Sequence, residues 1–392
     1  MPSTDPVFTQ MVESIKAGDV YTAALSAART KYFASYLAKR LAFQMQNPNL
    51  DASAAAHNDA TAFIIAHFVG ASGGVAPSIS TIWSENATYL VNVVSGTATV
   101  AARAASLTPA QAANVNWATD LVRVDGQSAR APAGGTTPIP LKHVGGYTTL
   151  SDRANDKSFA MYGATAGTNL RMIEGIWTIS TGLTLVDVQS SAARPQDVPR
   201  FIPQYDPNFF VGQGQSSCIS CHGGGFSSLT KGYSAVADVF DYTNNGLVYI
   251  ATPTVATRKS LGSDPQKRQA NSNCNLSATP TPVCNPDSLG ADPNNAWDLL
   301  ATWSSTGVLL RMGWTGATSG EGLNALGAAI GQASIVYTYL TKRIIKEICP
   351  MGLITEKEAA AIGARANPYA PTPGTDDVRT IVAAVASHPS CL

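Results

Sequence analysis

The stretch Ser216–Gly225 reads SSCISCHGGG, two cysteines three apart with a histidine directly after the second. Two thiols and an imidazole on five consecutive residues constrain a fold more than any helical pattern, because the chain must be built around whatever the three groups hold. The 392 residues contain only six cysteines and five histidines, so C-x-x-C-H arises by chance in roughly one such chain per thousand. A zinc site needs a second Cys or His pair at suitable spacing, and none follows closely. A redox C-x-x-C opens a helix after a buried strand. Here NFFVGQGQSS precedes the motif and three glycines follow it.

The chemistry this spacing serves is covalent attachment of haem c. The thiols of Cys218 and Cys221 add across the two vinyl groups, and His222 then lies under the iron as its proximal ligand. Gly223 and the two glycines after it admit positive φ and close approach of backbone to a flat group. Phe226 is placed to pack on the porphyrin edge, although an ordinary core aromatic would look the same. One copy of the motif implies one haem.

Composition narrows the class. Charged residues make up 13% of the chain, about half the usual share, and the 26 acidic and 26 basic side chains balance. No basic tract is long enough to track phosphates, which argues against nucleic-acid binding. No run of 18 apolar residues marks a membrane span. The N-terminus, MPSTDPVFTQMVESIKAGD, has neither a basic n-region nor an apolar h-region and does not read as a signal peptide. Haem c is attached outside the cytoplasm, so the expectation is a periplasmic or extracellular protein whose leader is already gone.

Four cysteines remain, and an even remainder in an exported chain reads as two disulfides. Cys274 and Cys284 flank NLSATPTPV, a Pro/Thr/Ser loop able to close on itself. Cys349 ends a strong helical pattern and Cys391 is the penultimate residue, so their union would tie down a terminus that otherwise frays. The expected bridges are Cys349–Cys391 and Cys274–Cys284; the competing reading is four buried free thiols.

The class expected is mainly α with minor β. A helical N-terminal domain spans 1–148, and a haem c-binding domain with long irregular loops, helical toward its end, spans 149–392. Residues 8–47 and 51–69 read as helices, broken at Asn47-Pro48-Asn49 and stopped at Gly70. Residues 81–100 are ambiguous, rich in β-branched side chains and interrupted at Gly96. Thr108-Pro109 is an N-cap followed by proline at the first helical position. Residues 125–148 form a Gly/Pro/Thr-rich seam, 157–185 carry helix-compatible spacing, and 251–296 are a long polar insertion. Leu326, Ile330, Ala333, Tyr337, Leu340, Ile344 and Ile348 recur at helical spacing until Pro350. Thr355 to Glu358 is a capping box. Thr375-Asp376-Asp377 opens the last helix, with acidic residues at its positive end.

The sixth iron position separates a carrier from an enzyme: Met or His fills it in an electron-transfer cytochrome, and it stays open in a catalyst. The distal candidates are Met351, on a turn after Cys349-Pro350; His143, on the Gly-rich loop LKHVGGY; and His67, in FIIAHFVG. A histidine in so apolar a setting more often serves the core than a metal. Arg171 and Arg311 lie in apolar stretches and would suit haem propionates, or equally an ion pair with Glu174 or Asp298.

Three blocks, GTNLRMIEGIWTISTGLTLVDV, FVGQGQSSCISCHGGGFSSL and GLNALGAAIGQASIVYTYLTKRIIKEIC, resemble in their order a family of large exported bacterial proteins with a single C-x-x-C-H, c-type cytochrome-like. NDATAFIIAHFVG and WSENATYLVNV are similar in style to the helical N-terminal half of that family. The resemblance implies covalent haem c on Cys218, Cys221 and His222, and it implies no reaction. The Gly-rich run after His222 departs from the methionine-bearing segment expected there, so no sixth ligand carries over.

Three functions remain open. One is an electron-carrier cytochrome serving redox partner proteins, favoured over a catalyst, although one haem needs far fewer residues than this. A second is a haem enzyme, peroxidase or oxygenase, with an open distal iron; no distal His-Arg pair stands at an informative spacing. A third is a subunit of a redox complex or self-assembling filament, in which low charge and the long polar insertion serve contacts between subunits.

Overall fold

The computed structural model describes residues 3–45, 58–85, 87–125, 178–183, 313–317, 319–349 and 352–392, and the backbone of short strands between 240 and 298. These residues are mainly helical with a small sheet. Helix α1 (Pro6–Lys16) begins at Asp5, whose side chain accepts from the Val7 amide, with proline at the first helical position. Helix α2 (Val20–Ala28) is capped in the same way by Asp19, which accepts from the Thr22 amide. A π-helix, Phe33–Ala38, runs directly into α3 (Lys39–Gln44). The helical reading of residues 8–47 thus resolves into four short pieces.

Helix α4 (Asn58–Val69) is the centre of the structure. From Ala62 to Phe68 every side chain is at most 3% exposed, on all faces. A helix buried all round has no solvent face to make it amphipathic, and elements on several sides must cover it. It stops at Gly70, where φ is +88° and a Cβ would stand 2.6 Å from the Val75 carbonyl oxygen, so only glycine fits.

The ambiguous segment 81–100 contains most of a hairpin. Strands β1 (Ala87–Ser95) and β2 (Ala98–Ala102) pair antiparallel around Gly96, and β3 (Leu121–Asp125) pairs antiparallel along the other edge of β1, giving the order β2-β1-β3. Along β1, Ala87, Tyr89, Val91 and Val93 are buried at every second position, the period of a strand with one face on the core. Between β2 and β3 lies the short helix α5 (Pro109–Asn114), with Thr108 and Gln111 forming a capping box. Four two-residue strands pair as β4 (Phe240–Asp241) with β5 (Val248–Tyr249) and β6 (Cys274–Asn275) with β7 (Val283–Cys284); β8 (Ala296–Asp298) pairs with β9 (Ser319–Glu321).

The periodic stretch 326–348 is two helices, not one. Helix α6 (Gly322–Gly331) ends, Ala333 turns extended, and α7 (Ser334–Ile348) begins. The break is tertiary in origin. A Cβ on Gly327 would stand 2.0 Å from the Trp83 carbonyl oxygen, and one on Gly331 2.0 Å from that of Ser80. Helix α6 therefore lies backbone against backbone on the 80–84 turn, while α7 departs to fill the core with Tyr337, Leu340 and Ile344. Helices α8 (Glu356–Ala364) and α9 (Val378–Ala386) follow, the first opened by the Thr355–Glu358 capping box and the second by Asp377. One cluster of buried apolar side chains runs from Ala28 through α4 and β1 to Val385 in α9. The expected seam near residue 148 lies outside the described residues, and chain from both sides of it shares this core.

Candidate functional site

Cys218, Cys221, His222, Gly223, Phe226, Arg171, Arg311, His143 and Met351 lie outside the described residues. Three of the predicted features fall within them: His67, the Cys349–Cys391 pair and the backbone of Cys274 and Cys284.

Cys349 and Cys391 form a disulfide with Cα atoms 5.4 Å apart, closing 42 residues of chain. Cys349 is the C-cap of α7 and Cys391 ends a 3₁₀ turn, Pro389–Cys391. The bond fastens the end of the chain to the longest described helix. Cys274 stands directly across the β6–β7 ladder from Cys284, the register position at which a cross-strand pair comes closest.

His67 is 3% exposed and sits in the last turn of α4. A polar ring in so apolar a place needs partners, and both its nitrogens have one. Nδ1 lies 2.8 Å from the Phe63 carbonyl oxygen. Nε2 lies 2.9 Å from Glu85 Oε2, an ion-pair distance without the alignment of a hydrogen bond. Iron ligation through Nε2 would require the ring to leave Glu85. The rings of Phe63 and Tyr89 stand 4.3 and 5.7 Å from the imidazole.

Glu85 gathers this cluster. Tyr89 Oη donates to its Oε2 at 2.8 Å, and Arg123 Nε lies 2.8 Å from its Oε1. The three partners come from α4, β1 and β3. Burial by itself would raise the Glu85 carboxyl; the contacts with His67 and Tyr89 and the charge of Arg123 outweigh it, and the group titrates below the ordinary carboxylate range. The carboxylate is thus held ionised by its neighbours.

A second carboxylate closes the molecule. Asp376 has φ +54°, a left-handed backbone that aspartate tolerates better than most residues. Its Oδ2 accepts from Ser78 Oγ at 2.6 Å and Ser80 Oγ at 2.7 Å, and its Oδ1 accepts from the Ser80 amide at 2.9 Å. Its own amide donates to Ala366 O, and its carbonyl accepts from the Ile79 amide. Tyr337 Oη is 3.5 Å from Oδ1; burial, with this negative charge beside it, drives the Tyr337 hydroxyl far above its ordinary range. Every partner of the Asp376 carboxylate is a neutral hydroxyl or amide.

Sequence reading missed the roles of Glu85 and Asp376. Glu85 had one signal, a buried histidine in FIIAHFVG that needs a polar partner. Asp376 stands beside the helix-opening Asp377, and its spacing to residues 78–80, nearly 300 positions away, carries no local trace. Among the described residues no three His, Cys, Asp or Glu side chains group as metal ligands. Met45, Ile79, Trp83, Ile179, Tyr339 and Arg343 border a void of about 10 Å³, the room of one water. Compared with known proteins, the chain matches no family model, and no curated protein or solved structure is detectably similar to it.

Proposed function

We propose that the protein is a c-type cytochrome with one covalently bound haem, an electron carrier outside the cytoplasm that meets redox partner proteins, singly or as a subunit of a larger redox assembly. The observation that carries this reading is the C-x-x-C-H at Cys218–His222. Its donor set fits haem c: two thiols at the vinyl spacing and an imidazole on the adjacent residue. When bound, the haem supplies one-electron chemistry, and the protein sets its potential by ligand, burial and nearby charge.

The residues divide the work. Cys218 and Cys221 would anchor the group, His222 would be its proximal ligand, Gly223 would admit it close to the backbone, and Phe226 and Arg171 would serve its edge and its propionates. Met351 and His143 are carried as distal candidates from the sequence, whereas His67 is engaged by Phe63 and Glu85. The Cys349–Cys391 disulfide supports the compartment, since disulfides persist where haem c attachment is completed.

The test is the double substitution Cys218→Ala with Cys221→Ala in protein made by a haem c-competent host. Wild type should keep its red colour after denaturation and acid-acetone extraction, and the variant should lose all of it. A wild type that releases its colour, or never acquires any, overturns the reading. Spectra of wild type, reduced with and without CO, then address the sixth position. A sharp low-spin α band that CO leaves unchanged fits the carrier. A high-spin ferric spectrum with rapid CO binding turns the reading to a haem enzyme.

A further inference from the structure

The last turn of the chain brings a serine hydroxyl, an imidazole and a carboxylate together in series: Ser390, His388 and Glu358. We propose that Ser390 is a nucleophilic hydroxyl, activated by His388 and oriented through Glu358, that accepts an acyl group from an activated ester. This site is separate from the C-x-x-C-H and does not rest on the haem.

The hydrogen bonds fix which ring nitrogen is the base. The Ser390 amide donates to His388 Nδ1 at 3.3 Å. A backbone amide can only donate, so Nδ1 presents its lone pair and the proton of the neutral ring sits on Nε2. The Ser390 hydroxyl stands 2.7 Å from the same Nδ1, and towards a lone pair it can only be the donor. On the far side of the ring, Nε2 faces Glu358 Oε1 at 3.7 Å. The other oxygen of that carboxylate, Oε2, accepts from the Thr355 amide and hydroxyl, so the cap that opens α8 also aims Oε1 at the imidazole. Nucleophile, base and orienting group thus stand in the order that activates a hydroxyl. A histidine that only capped the Pro389–Cys391 turn would need the amide bond alone.

The transfer balances within these groups. Ser390 Oγ forms a bond to the ester carbonyl carbon as its proton passes to His388 Nδ1, and Glu358 faces the positive charge the ring gains. The bond from that carbon to the leaving oxygen breaks, and the leaving oxygen takes the proton from Nδ1, giving O-acyl Ser390 and a free alcohol or phenol. Ser390 lies on the surface, where a reagent reaches it, whereas the His388 side chain is only 15% exposed. The neighbouring Cys391 is bonded to Cys349, which holds this turn against the end of α7.

The test treats the full-length protein, its disulfide intact, with p-nitrophenyl acetate and maps the acetylated peptides. Hydroxylamine separates O-acetyl serine, which it cleaves, from N-acetyl lysine, which it spares. Ser106, a surface serine whose hydroxyl donates to the Arg103 carbonyl, is the internal control. Ser390 should be acetylated at least about tenfold faster than Ser106. His388→Asn keeps a side-chain acceptor for the Ser390 amide but removes the base, and Ser390 should then react no faster than Ser106; Glu358→Gln should slow it by a smaller factor. A Ser390 that reacts no faster than Ser106 in wild type, or as fast in His388→Asn as in wild type, overturns the proposal. Should His388→Asn not fold, wild type in guanidinium decides: the preference for Ser390 should vanish with the fold, and a preference that survives unfolding overturns it equally.

Discussion

Glu85 and Asp376 are both carboxylates drawn into the same core, and they are held in opposite ways. Glu85 faces Arg123 and His67, and its ionisation is sustained by charge and by the Tyr89 hydroxyl. Asp376 faces Ser78, Ser80 and Tyr337 and is satisfied by neutral donors and by its own backbone bonds. The first arrangement joins elements within the N-terminal part of the chain. The second joins residues 78–80 to Asp376, nearly 300 positions further along the chain. The Glu85 joint depends on the charges that face its carboxylate, and the Asp376 joint on hydroxyl and amide donors around a residue of left-handed backbone.

The largest effect that would break this contrast is at Asp376. Asp376→Ala takes the acceptor from two serine hydroxyls and an amide and puts alanine at φ +54°; a loss of about 4 kcal/mol is expected from part-buried donors that lose this acceptor and from the left-handed backbone. Asp376→Asn, which keeps one acceptor oxygen and tolerates the backbone, should recover about half of it. Equilibrium unfolding of the pair measures both, and an Asp376→Ala protein as stable as wild type removes the clamp from the account. The Cys349–Cys391 bridge acts on the same end of the chain by another route, constraining the unfolded ensemble. Reducing it, or the double change to serine, should cost about 2–4 kcal/mol; thiol titration before and after reduction, run beside the melting curve, checks it. Free thiols in the native protein would end that claim.

The smallest effect sharpens the comparison from a solvent-exposed site. Thr355 caps α8, and Glu358 reaches back to the Thr355 amide and hydroxyl at 2.8 and 2.7 Å. These bonds hold the Glu358 carboxyl below its ordinary range. Its contribution thus fades in acid, as for Glu85, but from a site open to water. Thr355→Ala should cost about 1 kcal/mol at neutral pH and less in acid, read from denaturant midpoints. A cost as large as that of Asp376→Ala would mean that the cap, not the clamp, holds the C-terminal helices.

Local signals carried far in this chain. The Thr355–Glu358 box, the Thr108-Pro109 start and the stop at Gly70 were legible because each rests on residues whose backbone preference or chemistry acts over a few positions, and the Cys349–Cys391 pair because it was the favoured of three pairings, the one that ties down the end of the chain. The segment 81–100 was not, because β-branched residues on a half-buried strand and on a buried helix look alike over so short a run; pairing with β3 settled it as strand. The single helix expected across 326–348 failed at Gly331, where a carbonyl from the 80–84 turn occupies the space of a side chain. Periodicity records which face is apolar and not where the axis turns.

The sequence by itself determined the chemistry on offer: the thiol pair and imidazole of 218–222, the low charge, the helical class and the ends of several helices. These follow from side-chain type and from interactions within a turn or two. Tertiary structure alone decided that residues 78–85 become the meeting point of the fold. There Glu85 joins α4 to the sheet, Ser78 and Ser80 receive Asp376, and the carbonyls of Ser80 and Trp83 accept α6 at the distance that only glycine permits. Partners nearly 300 residues apart are chosen by packing and charge in three dimensions, and no spacing along the chain encodes that choice.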